Sequence, residues 1–170
     1  MSGGNDTAWI RLVLLRELAA FSRELDRFED ERLIWAVAPG ISNSAGTLAL
    51  HVSGNLQHYV GAVLGGTGYV RDRELEFSTR GLPRAALSAV LGTTVRVVVT
   101  VLSALPVDAL SAEYPDVLGG IRVPTGLFLL HLSAHLAHHL GQAGYLRRFL
   151  TRENRSSGAI AMKALASSPI

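Results

Sequence analysis

The histidines of this chain fall in two short stretches, and this distribution constrains its fold more than any other feature. Four of the six lie within nine positions, at the start of the segment 131–150, and the other two lie in HVSGNLQHYVG. They are His131, His135, His138 and His139 in the later stretch, and His51 and His58 in the earlier one. At about 100° per residue, a helix places the four histidines of the later stretch on one face, beside an apolar stripe. Each stretch is therefore predicted to form an amphipathic helix with a histidine-bearing face.

The border between the polar face and the apolar stripe of the later helix carries His135 and His139. Imidazoles at i,i+4 lie about 6 Å apart on one face, close enough to share one metal ion. A border position also lets a third ligand approach from another helix. His51, which lies beside apolar neighbours in its own helix, is the natural candidate. The spacing predicts a metal site, against the alternative that these histidines are solvated or satisfied core residues.

A sequence similarity between the two histidine stretches supports a competing set of ligands. HVSGNLQHYVG and HLSAHLAHHLG match at five positions, and His51 corresponds to His131 in this alignment. The competing set is therefore His51, His131 and His135. His58 and His138 are interpreted as solvated or as further members of the cluster. Asn55 and Gln142 are candidates to contact either a substrate or the second nitrogen of a metal-bound imidazole.

The chain contains no cysteine, so it has neither a disulfide framework nor a thiolate of its own. Any metal is then held by histidine, carboxylate or water. Imidazole ligation favours zinc or nickel, with iron or copper as further candidates. Four acidic residues in the loops are candidates for an additional carboxylate ligand, namely Asp72, Glu74, Glu113 and Asp116.

Apolar spacing predicts an all-α protein with four long helices, arranged as a four-helix bundle. The first helix buries Ile10, Leu14, Leu18, Phe21, Leu25 and Phe28, and the second runs from about Gly46 to Leu64. A polar linker, 71–83, leads to a third helix that starts at Pro83, and the histidine helix starts near Thr125. A small β-hairpin, 113–118 with 121–123, is possible between the third and fourth helices. We expect one domain over 1–170, with a core of about 8–150 and a polar tail, 151–170, that contains a short helix at 160–166.

Charge and hydropathy bear on partners and location. The formal net charge of +2 is too small to indicate a polyanionic partner, so we expect no nucleic acid. The basic cluster Arg147, Arg148, Arg152 and Arg155 has no aromatic platform. The apolar segment 85–105 is predicted to be a buried helix and not a membrane span. The first 21 positions lack the uninterrupted apolar stretch of a secretory signal peptide, because charged residues interrupt them, and we therefore expect a cytoplasmic protein.

The two histidine motifs together resemble the DinB-like superfamily. Its last-helix pattern, H-x-x-H-H-x-G-Q, is matched by His135, His138, His139, Gly141 and Gln142. Its HLxGNL-type motif is matched by His51, Gly54, Asn55 and Leu56, with Val52 in the usual leucine place. The resemblance covers roughly residues 8–150. The chain differs at Leu140, where many members carry a basic residue.

The resemblance implies a DinB-like four-helix bundle, often a homodimer, in which His51, His135 and His139 bind a divalent metal ion. Characterised relatives are similar to thiol S-transferases that use bacillithiol or mycothiol, and to a mycothiol-dependent maleylpyruvate isomerase. The first hypothesis is therefore a metal-dependent transferase of a small-molecule thiol onto an electrophile. A metal-dependent hydrolase and a non-catalytic metal-binding stress-response module are the alternatives.

Overall fold

The computed structural model describes residues 6–117, 119–156 and 162–166. The regular secondary structure of these residues is helical. The four long helices are α1 (Asp6–Asp26), α2 (Ala45–Leu56), α4 (Arg84–Ala104) and α5 (Thr125–Thr151). The short helices are α3 (Arg73–Ser78) and α6 (Lys163–Ala166), and 3-10 turns span Glu31–Trp35 and Val107–Leu110. From Gln57 to Leu64 the second helix continues with π-helical hydrogen bonding. The prediction of an all-α protein is confirmed.

The long helices α1 and α2 both pack between α4 and α5. Opposite running directions follow from paired contacts along α2 and α5. His51 faces His135. Tyr59 follows His51 by eight residues, but its partner on α5, Phe128, precedes His135 by seven residues. The two histidine stretches therefore meet at one level of the structure, although they lie far apart in sequence.

The helical periodicity identified the core correctly. All six apolar positions predicted for the first helix are buried, although Phe28 lies beyond the end of α1 at Asp26. Leu129, Leu132 and Leu136 on α5 are buried as well. The segment 84–104, whose β-branched residues also suit a strand, forms a helix and buries one side. Among the described residues, α4 is the one helix that is long and apolar enough to cross a membrane, and one third of its apolar window is buried.

The predicted β-hairpin between α4 and α5 is wrong for the described residues, which exclude position 118. A single antiparallel bridge joins Glu113 to Pro124, and no strand forms in this part of the chain. The Tyr114 N–H donates to the Val123 carbonyl at 2.9 Å, and the Thr125 N–H donates to the Ala112 carbonyl at 2.8 Å, one on each side of this bridge. The pairing ends there because α5 begins at Thr125. Tyr114 turns inward instead, and its hydroxyl donates a 2.8 Å hydrogen bond to the Tyr59 carbonyl in the π-helical segment.

The linker predicted between the second and third long helices is also partly wrong, since it contains α3. The Asp72 side chain accepts a 2.8 Å hydrogen bond from the Leu75 N–H and so caps this helix. Aspartate at this position stabilises a helix start by accepting from an N–H group that has no helical partner. The short helix turns Glu76 toward α2, where it is buried.

The interior holds charged residues that the amphipathic pattern placed elsewhere. Arg147 is fully buried and pairs with Glu24 of α1, which is also buried. It also pairs with Glu153 and donates a 2.6 Å hydrogen bond to the Arg155 carbonyl. The predicted basic cluster is therefore wrong for Arg147, because a buried acidic partner compensates its charge.

The C-terminal segment agrees with the predicted tail where it is described. The short helix α6 (Lys163–Ala166) lies within the predicted helix at 160–166, and 157–161 lie outside the described residues. The boundaries of the single domain stay a prediction.

Candidate metal centre

Three imidazoles from two helices converge at one point between α2 and α5. The Nε2 atom of His135 lies 3.3 Å from Nε2 of His51 and 3.1 Å from Nε2 of His139. Each of the three rings offers one nitrogen, and these nitrogens all lie within 4.8 Å of one another. His51 is buried, whereas His135 and His139 are half-buried. The structure therefore brings together the three residues predicted from the border positions and the DinB-like resemblance.

The spacing of these nitrogens fits a shared cation. Zinc–imidazole bonds are about 2.0–2.1 Å long, so two nitrogens at a tetrahedral angle are about 3.3 Å apart. The two separations from His135 Nε2 are close to that value. Three neutral imidazoles are also the protein ligand set of some catalytic zinc sites, which leave a coordination position for water or substrate. This three-histidine group could hold a divalent metal ion.

In two of these rings, the nitrogen that points away from the convergence point contacts a hydrogen-bond acceptor. Nδ1 of His51 lies 2.9 Å from Oε2 of Glu76, and Nδ1 of His139 lies 2.8 Å from Oε1 of Gln142. A carboxylate oxygen and an amide oxygen can only accept, so each ring donates through Nδ1–H. The Nε2 atoms of His51 and His139 then carry lone pairs directed at the convergence point. Metal-binding histidines are oriented in this way by their outer partners.

Glu76 is a buried carboxylate that accepts hydrogen bonds from two side chains, one of which balances its charge. Arg71 donates from Nε to Oε1 at 2.7 Å and from Nη2 to Oε2 at 2.9 Å, while His51 contacts the same Oε2. Burial alone would raise the pKa of Glu76, but the hydrogen bonds from Arg71 and His51 outweigh it and lower this pKa. The carboxylate is therefore ionised and serves as a permanent acceptor for His51.

The local environment keeps the α5 imidazoles neutral. Burial, followed by the neighbouring histidines, lowers the pKa of His135 to about 4. Burial also lowers the pKa of His139, although the hydrogen bond to Gln142 opposes the shift. Neutral imidazole is the form that binds a metal ion. Both residues are therefore ready to act as ligands at neutral pH.

The other three histidines lie outside this group. The exposed His131 ring stacks on Phe128, with 5.9 Å between centroids, and its centroid is 6.3 Å from that of His135. His138 is exposed, and His58 packs against Tyr59 with its Nδ1 buried and without a hydrogen-bond partner in the part of the chain that the structure describes. Because the described residues group His135 with His51 and His139, the competing set with His131 is not the one that the structure assembles.

The acidic residues proposed as extra ligands do not reach the cluster. Asp72 caps α3, Glu113 pairs with Arg122, and neither they nor Glu74 or Asp116 belong to the ligand group. The carboxylate that does approach is Glu76, which sequence reasoning missed. The sequence did contain a signal for the short helix that carries Glu76, namely an aspartate at a helix-capping position followed by acidic residues in the first turn.

The two amide side chains predicted as outer contacts have different outcomes. Gln142 supports His139 as predicted, through the 2.8 Å hydrogen bond. Asn55 is buried, but its Oδ1 atom has no hydrogen-bond partner within the described residues. The role predicted for Asn55 therefore stays a prediction.

A groove of about 750 Å³ lies between the loop that precedes α2 and the second half of α5, and it meets the Nδ1 side of His139 through Gln142 and not the three ligand histidines themselves. Gln142, which contacts His139, lines it together with His138. Its apolar lining includes Ile41, Leu48, Leu146 and the exposed rings of Tyr145 and Phe149. A groove of this size, mostly apolar with a few polar groups, suits a small organic molecule.

Comparison of the chain with protein-family models, with curated proteins and with solved structures gave no match. The functional argument therefore rests on the geometry of the three-histidine group and its surroundings.

Proposed function

We propose that this chain is a DinB-like metal-binding protein that transfers a low-molecular-weight thiol onto an electrophile. The observation that carries the proposal is the convergence of three imidazole Nε2 atoms, two of them on rings held through Nδ1–H by Glu76 and Gln142. In this proposal His51, His135 and His139 bind a divalent cation, with zinc and nickel as the first candidates.

The composition of the chain supports a thiol as co-substrate. A divalent cation with an open position lowers the pKa of a bound thiol and polarises an electrophile. The protein has no cysteine, so the sulfur nucleophile comes from outside. The sulfur forms one new bond to the electrophilic carbon while the bond from that carbon to its leaving group breaks. The leaving group takes the electron pair of that bond, and the thiol proton passes to solvent.

The residues of the chain position the partners of this reaction. Glu76 and Gln142 orient two of the ligand rings, and Arg71 balances the charge of Glu76. The groove lined by Gln142, Tyr145 and Phe149 offers an apolar surface next to His139 for the body of the electrophile. This placement favours an apolar or aromatic electrophile over a highly charged one.

The experiment that tests the proposal is a turnover assay on tag-free, zinc-loaded protein with an aromatic electrophile, in the presence and absence of bacillithiol or mycothiol. We expect product only when thiol is present, and loss of product in His51→Ala but not in His131→Ala. Turnover that persists without thiol would support the hydrolase alternative. Bound metal without turnover in either condition would support a non-catalytic metal-binding stress-response module.

The same proposal extends to architecture and setting. The order of the four long helices, with histidine motifs on the second and last of them, supports a four-helix bundle of the DinB-like type. We propose a cytoplasmic homodimer without a nucleic-acid or membrane partner. Light scattering of the purified protein tests the dimer, since a monomeric mass at micromolar concentration would contradict it.

A further inference from the structure

The short helix α3 brings a side chain to the metal centre from outside the four long helices. Glu76 is 6% exposed, and its carboxylate lies against α2 with contacts to His51 and Arg71. His135 and His139 are positioned by α5 itself, whereas the orientation of His51 depends on this separate element. The connection between α2 and α4 is therefore a structural part of the centre.

Only a residue without a side chain leaves room for Glu76 at this place. Gly54 lies one turn after His51 on α2, and a Cβ atom built on it would lie 2.7 Å from Cδ and 3.2 Å from Cγ of Glu76. Carbon atoms do not approach to 2.7 Å without displacement. The carboxylate cannot give way easily, because both of its oxygens are held, one by Arg71 alone and the other by Arg71 and His51.

The contacts of the carboxylate determine which nitrogen of His51 carries the proton. Nδ1 lies 2.9 Å from Glu76 Oε2 and 3.5 Å from Arg71 Nη2. An unprotonated Nδ1 would direct its lone pair at the carboxylate over the shorter distance, which is repulsive. A protonated Nδ1 donates to Oε2 instead, and this leaves Nε2 as a lone-pair donor toward His135.

We propose that Glu76 is a positioning residue that holds His51 in the Nδ1–H tautomer, and that glycine at position 54 is required for it to do so. The inference rests on the proposed metal site for its purpose, but it is a statement about the metal-free protein and is testable there. Replacing Gly54 by alanine displaces Glu76 without removing a polar atom. Replacing Glu76 by alanine removes the acceptor itself. Both changes have the same effect on His51.

The test measures the ring nitrogens of His51 by long-range ¹H–¹⁵N NMR, in chelator-treated protein labelled with ¹⁵N-histidine at pH 7.5. We expect wild type to show a protonated Nδ1 and an unprotonated Nε2. Glu76→Ala and Gly54→Ala both shift His51 toward a mixture of tautomers. Glu76→Gln retains the wild-type tautomer, because its amide oxygen can take the Oε2 position that His51 contacts.

Gly141→Ala is the matched control, since Gly141 is also helical but a Cβ there has no atom within 4 Å. Its His51 signals are expected to match wild type. A protonated Nε2 in wild type would overturn the proposal. An unchanged tautomer in Gly54→Ala, with a changed one in Glu76→Ala, would overturn the role of Gly54. Circular dichroism confirms that each variant is folded before its spectrum is compared.

Zinc affinity, measured by competition with a chromogenic chelator, links the tautomer to the proposed function. Glu76→Ala and Gly54→Ala are expected to bind zinc about 10–100-fold more weakly than wild type, and Gly141→Ala equally well. The double variant Gly54→Ala/Glu76→Ala is expected to be no weaker than Glu76→Ala, because both changes remove one contact. If wild type itself binds no zinc, the proposed function fails, whereas the NMR result still decides the role of Glu76.

Discussion

His135 and His139 approach each other one helical turn apart on α5, with 3.1 Å between their Nε2 atoms. Two positive charges at that distance repel strongly, and burial disfavours each of them further. The cost of protonating both rings is therefore high, and both are available in the neutral form that a metal ion requires. This relationship predicts that both metal ions and pH affect the state of the three-histidine group.

Alanine variants of the three ligands are expected to lose the metal. Tag-free wild type should contain about one ion per chain by elemental analysis, in line with one group of three converging imidazoles. His51→Ala, His135→Ala and His139→Ala are each expected to contain little. His131→Ala, which alters an exposed residue on the same helix as two of the ligands, should keep its ion. Loss of metal in His131→Ala with retention in His139→Ala would instead support the competing ligand set.

The stability of the metal-free protein is expected to fall as the pH drops from about 6.5 to about 4. The pKa of His135 is lowered to about 4 in the folded state, from an ordinary value of 6.5. Between these pH values His135 binds a proton in the unfolded chain but not in the folded chain, so acidification favours unfolding. This contribution is fully present above pH 6.5. One proton changes the free energy of unfolding by at most about 1.4 kcal/mol per pH unit.

Urea unfolding at several pH values in the presence of chelator measures this dependence. His135→Gln removes the titrating group, so its stability should fall less steeply over the same range. His131→Gln, an exposed replacement on the same helix, removes only a minor electrostatic contribution to this shift, so its slope should stay close to that of wild type. Equal slopes for wild type and His135→Gln would contradict the prediction.

Replacement of Arg147 by methionine is expected to destabilise the protein by about 3–5 kcal/mol, because the buried Glu24 loses its charged partner. Arg148→Met, at the adjacent and partly exposed position, should cost less than about 1 kcal/mol. Chemical denaturation gives both values. Similar losses in the two variants would mean that the Arg147–Glu24 pair is not a main stabilising contact.

Tyr114→Phe is expected to cost about 1–2 kcal/mol, because the Tyr59 carbonyl loses the donor that the buried hydroxyl supplies. Tyr145→Phe removes a hydroxyl from a side chain that is 75% exposed, so it should change stability little. The two variants differ from wild type by the same single atom. Equal unfolding midpoints for both would contradict a structural role for the Tyr114 hydroxyl.

The ligand pair on α5 was predictable from sequence because its geometry is local. His135 and His139 belong to one helix, and the period of 3.6 residues alone places them on one side. The approach of His51 was predictable as a candidate, because it shares the border position on its own helix. The choice between His131 and His139 stayed open between two sequence patterns, since the border position favoured His139 and the similarity between the two histidine stretches favoured His131.

The surroundings of the centre were not predictable, because they depend on contacts between distant parts of the chain. Glu76 reaches His51 only if the polar segment after α2 folds into α3 and if Gly54 leaves room for it. Arg147 appears to belong to a basic helix end until Glu24, 123 positions earlier, is placed beside it. Periodicity identifies which side of a helix is apolar, but it does not identify which charged residues meet across two helices.

The candidate ligands come from the two halves of the chain, and His51 and His135 are 84 positions apart. A cation bound there would act as a cross-link that closes a long loop, and only the folded chain offers all three nitrogens. Its binding energy would then add to the stability of the fold, by about 2.7 kcal/mol at a free metal concentration 100 times the dissociation constant. In a cell, metal supply would thereby set how long this protein survives proteolysis.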